Sequence, residues 1–437
     1  MTKLAAGIAV VAVLAVAGVL IVRGERDGPG ARAATLPAAE RIENAACSPV
    51  AYAGDGRPTG LIVLSTLLQG EFASHGIQAA QAVKLVLARR DWHAGPHTIG
   101  VQVCDEVPYG SDESDSRKCA RTARAAAENP AVLGVIGPWS SSCASLVTLL
   151  NRARVAVVSP SATYLGLTRA GPGVAPGDPE RYAPSGRRSF VRVVPADDVQ
   201  AATAVTYAQR VGARRLFVLD DGGIFGKGLA GGVRESAQRA GLHVVGEAHW
   251  QPTARDFSEQ AERVRRAGAD AAYLSGYASG NSPQLIADLR RALGPDLLIM
   301  GPDGFAVPEV LVREVGAAAD RFVFTIATVP TRALPSGGRR FAAEFERRFG
   351  AAPCCFAVHS AQAMDVLLDA VAHSDGTRAG VIRAVLETRI ERGELGDFRF
   401  DSAGDTTRNP MGVFEVRGGG PRFIVTIEPA PELLARD

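Results

Sequence analysis

The chain reads as an α/β protein of two lobes, each a mainly parallel sheet with helices on both faces. Three observations lead there. Ten short apolar runs punctuate residues 60–326, at 60–65, 98–103, 132–137, 155–160, 190–194, 215–220, 243–248, 271–276, 297–301 and 322–326. Most are separated by stretches with helical spacing, such as 78–89, 199–210 and 257–267. The length, 437 residues, exceeds one ordinary domain. Continuous Val/Ile/Leu runs mean strands buried on both faces, as in parallel sheets covered by helices. Ten strands are too many for one compact sheet of that kind.

Composition sets the outer limits. Hydrophobic residues make up 46% and charged residues 22%, the balance of a chain that can build large cores. The 48 basic and 46 acidic residues nearly cancel, and no basic stripe stands out, so no nucleic-acid partner is expected.

From the N-terminus, residues 4–22 form 19 residues without a charge, with Lys3 before and Arg23 after. A helix of that length spans about 28 Å, close to the ~30 Å of a bilayer's hydrocarbon. It is longer than the usual signal-peptide core, which favours an uncleaved signal anchor; cleavage at Ala31-Arg32-Ala33 stays open. Residues 1–34 are therefore assigned to anchor or signal peptide and 35–57, rich in Gly, Pro and Ala, to a linker. Either way the rest is expected outside the cytoplasm, tethered to the cell membrane or secreted. Six cysteines (Cys47, Cys104, Cys119, Cys143, Cys354, Cys355) show no zinc spacing, and in an exported chain an even number suggests disulfides. Their 15 possible pairings stay open at this point.

Residues 161–189, crowded with Gly and Pro, interrupt the rhythm and read as an inserted surface loop. The tail 398–427 (FRF, GVFEV, FIVTI between Gly-rich turns) reads as a small antiparallel addition.

Gly226-Lys227-Gly228-Leu229-Ala230-Gly231 matches a dinucleotide fingerprint, but Asp220 and Asp221 put negative charge where a pyrophosphate would lie. These glycines read as turn and helix-start residues. No nucleophile–base motif, phosphate loop or histidine pair at metal-ligand spacing is present, so neither an enzyme nor a cofactor nor a metal is expected.

Ligands of open parallel sheets bind beyond the C-terminal strand ends. There the chain places Trp139-Ser140-Ser141-Ser142 and Ser161-Ala162-Thr163, whose hydroxyls and helix-start N–H groups suit a carboxylate. In the later half it places Tyr277 and Asp303, an aromatic and an acid suited to an ammonium group. Together they describe a zwitterion site between two lobes.

These segments resemble the leucine/isoleucine/valine-binding proteins, the extracytoplasmic solute receptors of branched-chain amino-acid ABC transporters. VIGPWSSSCA with VAVVSPSATYLGLT, LDDGGIFGKGLAGGVRESAQRAGLHVVGE, MGPDGF and FRFDSAGDTTRNPMGVFEV carry the likeness, in the family's order, over about residues 58–427. The resemblance implies a type I periplasmic-binding-protein fold with three crossover strands at the hinge. The lobes would be 58–196 with 327–390, and 197–326 with 391–437. It implies that Ser141 and Thr163, with Ser161, bind an α-carboxylate, that Tyr277 and Asp303 hold the α-ammonium, and that Asp197 supports closure. His75 falls in the first ligand loop, and Trp139 would reshape the side-chain pocket. It also implies a disulfide joining Cys104 or Cys119 to Cys143, with Cys119 favoured. Apart from the resemblance, the adjacent pair Cys354-Cys355 is read as including a candidate partner for Cys47. The function implied is capture of an amino acid for an ABC permease, without catalysis. A ligand-sensing domain acting with a separate signalling partner is the alternative.

Overall fold

The structure is a computed structural model that describes residues 32–34, 41–111 and 114–435. The apolar segment 4–22 and the proposed cleavage site's first residue lie outside the described residues. Among those described, no helix is long and apolar enough to cross a membrane.

All ten apolar runs are strands, in two sheets. The first has the order Arg32–Ala34, Val50–Tyr52, His97–Asp105, Gly60–Thr66, Val132–Ile136, Ala156–Ser159, Phe190–Arg192, with His93–Ala94 added on the side. From His97–Asp105 to Phe190–Arg192 every pairing is parallel. The second has the order His243–His249, Arg215–Asp220, Ala271–Ser275, Leu298–Gly301, Val323–Ile326, Met411–Arg417, Gly420–Ile427. It is parallel up to Val323–Ile326, and the last two strands join antiparallel.

Burial on both faces explains the continuous apolar runs. In Gly60–Thr66, Ile62 and Leu64 pack into the cluster under helices Ala73–Arg89 and Ala357–Ala372. Leu61 and Val63 face the cluster under Ser116–Glu128 and Ser145–Arg152. In Arg215–Asp220, Leu216 and Val218 meet helices Asp197–Arg210 and Ile224–Ala240. Phe217 and Leu219 meet Ser258–Arg266 and Ser282–Leu293.

The chain crosses between the two halves three times: after Phe190–Arg192, after Val323–Ile326, and between Gly396–Arg399 and Met411–Arg417. Arg192, fully buried, ties the first crossing to the third. Its Nε donates to Asp405 Oδ1 at 2.6 Å, and its guanidinium also donates to the carbonyls of Ala162 and Tyr164 and to Thr168 Oγ1. Arg169 completes the network through Asp405 and Asp401. Burial works to raise the Asp405 carboxyl, but the two guanidiniums prevail and hold it below the ordinary carboxylate value.

Four expectations need correction. Residues 41–57 are no linker: Ile42, Val50 and Tyr52 are buried against the first sheet, and the Gln102 side chain satisfies both backbone groups of Ile42. Cys104 is bonded to Cys47, a pairing the packing of that segment brings about, so Cys104 does not serve Cys143 and neither Cys354 nor Cys355 serves Cys47. Cys119 is bonded to Cys143, as the resemblance implied. The boundary at 391 splits the hairpin Arg389–Gly393 with Gly396–Arg399, whose Phe398, with Phe400, packs into the first half's core. The remaining tail strands are the antiparallel addition expected, and they extend the second sheet.

The loop 161–189 is more than surface. Tyr164, Leu165, Leu167 and Tyr182 are buried in it, and Gly173 lies against helix Ile224–Ala240 of the other half. A Cβ on Gly231 would sit 2.6 Å from the Gly173 backbone nitrogen. The glycines of the rejected fingerprint thus permit a close approach between the two halves.

Candidate functional site

The serine loop begins where strand Val132–Ile136 ends. Glu106, just after strand His97–Asp105, turns its carboxylate into that loop: Oε1 accepts from the Trp139 N–H at 2.8 Å and from Ser65 Oγ at 2.9 Å. Oε2 accepts from the Ser140 N–H at 3.2 Å. Burial raises the Glu106 carboxyl above its usual value, and these donors partly offset it. The first N–H groups of the loop are therefore already occupied by the protein's own acid, so an anion here is left to the hydroxyls. A 3-10 turn, Ser141–Cys143, separates them from helix Ser145–Arg152.

The second loop is bound to the first. Ser161 Oγ donates to the Trp139 carbonyl at 2.9 Å, Ser159 Oγ donates to the Pro138 carbonyl at 2.9 Å, and Ser141 Oγ accepts from the Tyr164 N–H at 3.2 Å. Ser141, Ser161 and Thr163 are all buried. The Thr163 carbonyl accepts from the N–H of Asp197, the first residue of helix Asp197–Arg210, at 2.9 Å.

The other half supplies the opposing wall. Tyr277 follows strand Ala271–Ser275, with its N–H on Asp221 Oδ2 at 3.2 Å and its ring against Phe225 at 4.8 Å between centroids. Asp303 opens the 3-10 turn after Leu298–Gly301. Burial first, then the Asp303 charge, raises the Tyr277 hydroxyl's pKa, while the Ser140 side chain from the first half works against the shift.

Six buried polar atoms without a hydrogen-bond partner gather here: both carboxylate oxygens of Asp197, Asp303 Oδ1, Gln200 Oε1, and the hydroxyls of Tyr273 and Thr325. Gln200 Nε2 donates to the Thr325 carbonyl at 2.8 Å, and Tyr273 feels the charges of Asp303 and Asp197. Buried polar groups are rarely left unpaired; the carboxylate and amide oxygens in this set suit a donor, while the two hydroxyls can donate or accept. Burial is the main cause pushing Asp197 up to about 8, the Asp303 charge adds to it, and the Thr163 side chain opposes it. Burial likewise pushes Asp303 up to about 6, against the Gln200 side chain.

A stability consequence follows. The ligand-free fold binds a proton on Asp197 that the unfolded chain has already lost by pH 5, so stability falls as pH rises toward 8. His75 and His359, lowered by burial to about 4 and about 3, act oppositely but only below about pH 6.5. From pH 6.5 to 8 the Asp197 contribution should fall by about 2 kcal/mol, and Asp197→Asn should flatten the slope in urea melts, leaving the smaller part due to Glu394, which burial raises to about 7.

Seven expected site residues come together where the two halves meet, though none of them lines the cavity described next: Ser141, Ser161, Thr163, Asp197, Tyr277, Asp303 and Trp139. The Trp139 indole stands edge-on to Phe356 at 5.8 Å and joins an apolar cluster that includes Phe305 and Val307 of the other half. His75 goes elsewhere, to a cavity of about 700 Å³ lined from both halves. Glu71 and Arg313 form an ion pair across its edge at 2.8 Å. Sequence reasoning missed Gln200, Tyr273, Thr325 and Glu106. Only Gln200 left a signal, three residues beyond Asp197 on one helical face.

A family model described as periplasmic binding protein matches residues 62–421. The Leu/Ile/Val-binding protein BraC3 of Rhizobium johnstonii is 23% identical over 366 residues, 80% of this chain and 90% of that protein. The leucine-binding protein LivK of Thermotoga maritima superposes with a TM-score of 0.71 at 23% identity, over 85% of this chain and 99% of that one. A solute-binding protein of R. palustris, solved with benzoate, gives 0.67 at 18% identity, over 84% and 96%. With the family model spanning most of its length and the two-sheet fold shared, the chain belongs to the periplasmic binding protein family.

Proposed function

We propose that the protein captures an amino acid, branched-chain or a related small zwitterion, between its lobes and delivers it to an ABC permease from outside the cytoplasm. Residues 1–34 would hold it at the membrane. The observation that carries this reading is the pair of unpartnered acceptors on Asp303 and Gln200. An ammonium group brings several N–H donors and a positive charge to satisfy them. Asp303 and the Tyr277 ring hold the ammonium, and Ser141 and Thr163 take the carboxylate. Asp197, with its raised pKa, is protonated at neutral pH and donates to that carboxylate beside Thr163. A ligand held by both walls stabilises the closed form over the open one by these added contacts, and catalysis has no part in it.

The relatives name different ligands: leucine, isoleucine and valine for BraC3, benzoate for the R. palustris protein. A benzoate offers no cation to Asp303, so the site favours an amine. Thermal-shift screening of the purified full chain against amino acids, amides, sugars and aromatic acids tests this, since a bound ligand raises the melting temperature by mass action. The reading expects shifts from amino acids alone; shifts from sugars or benzoates without any from amino acids contradict it.

A further inference from the structure

We propose that His75, Cys354 and Cys355 form a binding site for a thiophilic metal ion, Zn(II) or Cu(I), opening on the cavity between the lobes. Four of the six cysteines are in disulfides, and the remaining two are adjacent thiols. One ring nitrogen of His75 and the two Sγ atoms all lie within 4.8 Å of one another, and all three residues line the 700 Å³ cavity. Imidazole and thiolate are the ligand set that such ions select.

The surroundings hold this arrangement. His75 lies at the start of helix Ala73–Arg89, and Gln78, one turn on, accepts the Cys354 N–H on its Oε1 at 2.7 Å. That bond fixes the cysteine turn to the histidine's helix. Cys355 has φ 52°, a left-handed backbone that residues other than Gly, Asn and Asp seldom adopt, and strain of this kind gathers at functional positions. Glu309, on helix Pro308–Val315 of the other lobe, lines the same cavity, and its charge acts on both thiols. His359 also lines the cavity, with a buried Nδ1 that has no partner.

The geometry needs a small adjustment. Metal–sulfur and metal–nitrogen bonds of about 2.3 and 2.0 Å set ligand atoms roughly 3.5 Å apart. The thiols now share a hydrogen bond, Cys355 Sγ donating to Cys354 Sγ at 2.8 Å. Metal entry replaces that bond with two metal–sulfur bonds, and both thiol protons leave to solvent.

The full chain is purified with Cys354 and Cys355 reduced and the two disulfides intact, as checked by mass. It is then exposed to Zn(II) or to Cu(I) under argon, desalted and analysed for metal. One ion per chain should be retained, with a thiolate-to-metal charge-transfer band in the ultraviolet. Cys354→Ser and His75→Ala should each weaken retention at least about tenfold, with melting curves in metal-free buffer that match the parent's. The two arms tell which ion the site prefers. Retention of neither ion overturns the proposal, as does equal retention in the Cys354→Ser/Cys355→Ser variant. A Cys354–Cys355 disulfide in the protein as isolated from the cell envelope overturns it too.

Discussion

Asp303→Ala should weaken binding of the amino acid found in the screen by about 2–5 kcal/mol, roughly thirtyfold to a few thousandfold in Kd. The magnitude reflects what the substitution leaves behind: an ammonium enclosed in the cleft without its counter-charge. The isosteric substitution Asp303→Asn should act with opposite sign on the empty protein. Burial raises Asp303 to about 6, so at pH 7 the ligand-free fold carries an ionised carboxylate whose Oδ1 has no partner. Asp303→Asn removes that charge at nearly constant volume and should raise the ligand-free melting temperature while lowering affinity. Groups that serve a ligand are often ones the empty fold would do better without. Isothermal titration and thermal melts of the two variants check both halves; unchanged affinity in Asp303→Ala would show that the residue does not touch the ligand.

Arg192→Met should destabilise the fold by about 3–5 kcal/mol, the range for breaking a buried ion pair from one side. Arg192 has no exposed surface and satisfies Asp405, Thr168 Oγ1 and the carbonyls of Ala162 and Tyr164 at once. Methionine fills much of the volume and serves none of these acceptors. Asp405 keeps Arg169 and Thr168 as partners in that variant, so adding Asp405→Leu should deepen the loss, and a double-mutant cycle in urea gives the Arg192–Asp405 coupling. The Arg192 bonds to Ala162 and Tyr164 flank Thr163, so the single variant should also bind ligand more weakly.

What could be read from the sequence depended on how far apart the causes lie along the chain. The parallel strands were legible because each carries its reason within itself, as in Gly60–Thr66, where both faces are buried. Trp139 to Ser141 and Ser161 to Thr163 were legible because they follow such strands directly, and Asp303 for the same reason in the other half. Residues 41–57 were not legible: Gly and Pro content suggests a linker, while Ile42 and Val50 find their burial on a sheet edge formed 50 residues later. The Cys47–Cys104 bond depends on that docking. Arg192 looked like one polar residue in an apolar run, since its partner Asp405 lies in the last crossover. Tyr273 and Thr325 gave no sign for a related reason: each sits inside a buried strand and shows its polarity only where the strands and helix Asp197–Arg210 meet. His75 and the adjacent cysteines are about 280 positions apart, beyond any spacing rule.

The most direct test of the central claim is a crystal structure of the chain with the amino acid that gives the largest thermal shift. The account predicts its ammonium within hydrogen-bond distance of Asp303, its carboxylate against Ser141 and Thr163, and both lobes touching it. Density for that ligand in the cavity beside His75, with Asp303 and Asp197 still unpartnered, would contradict it.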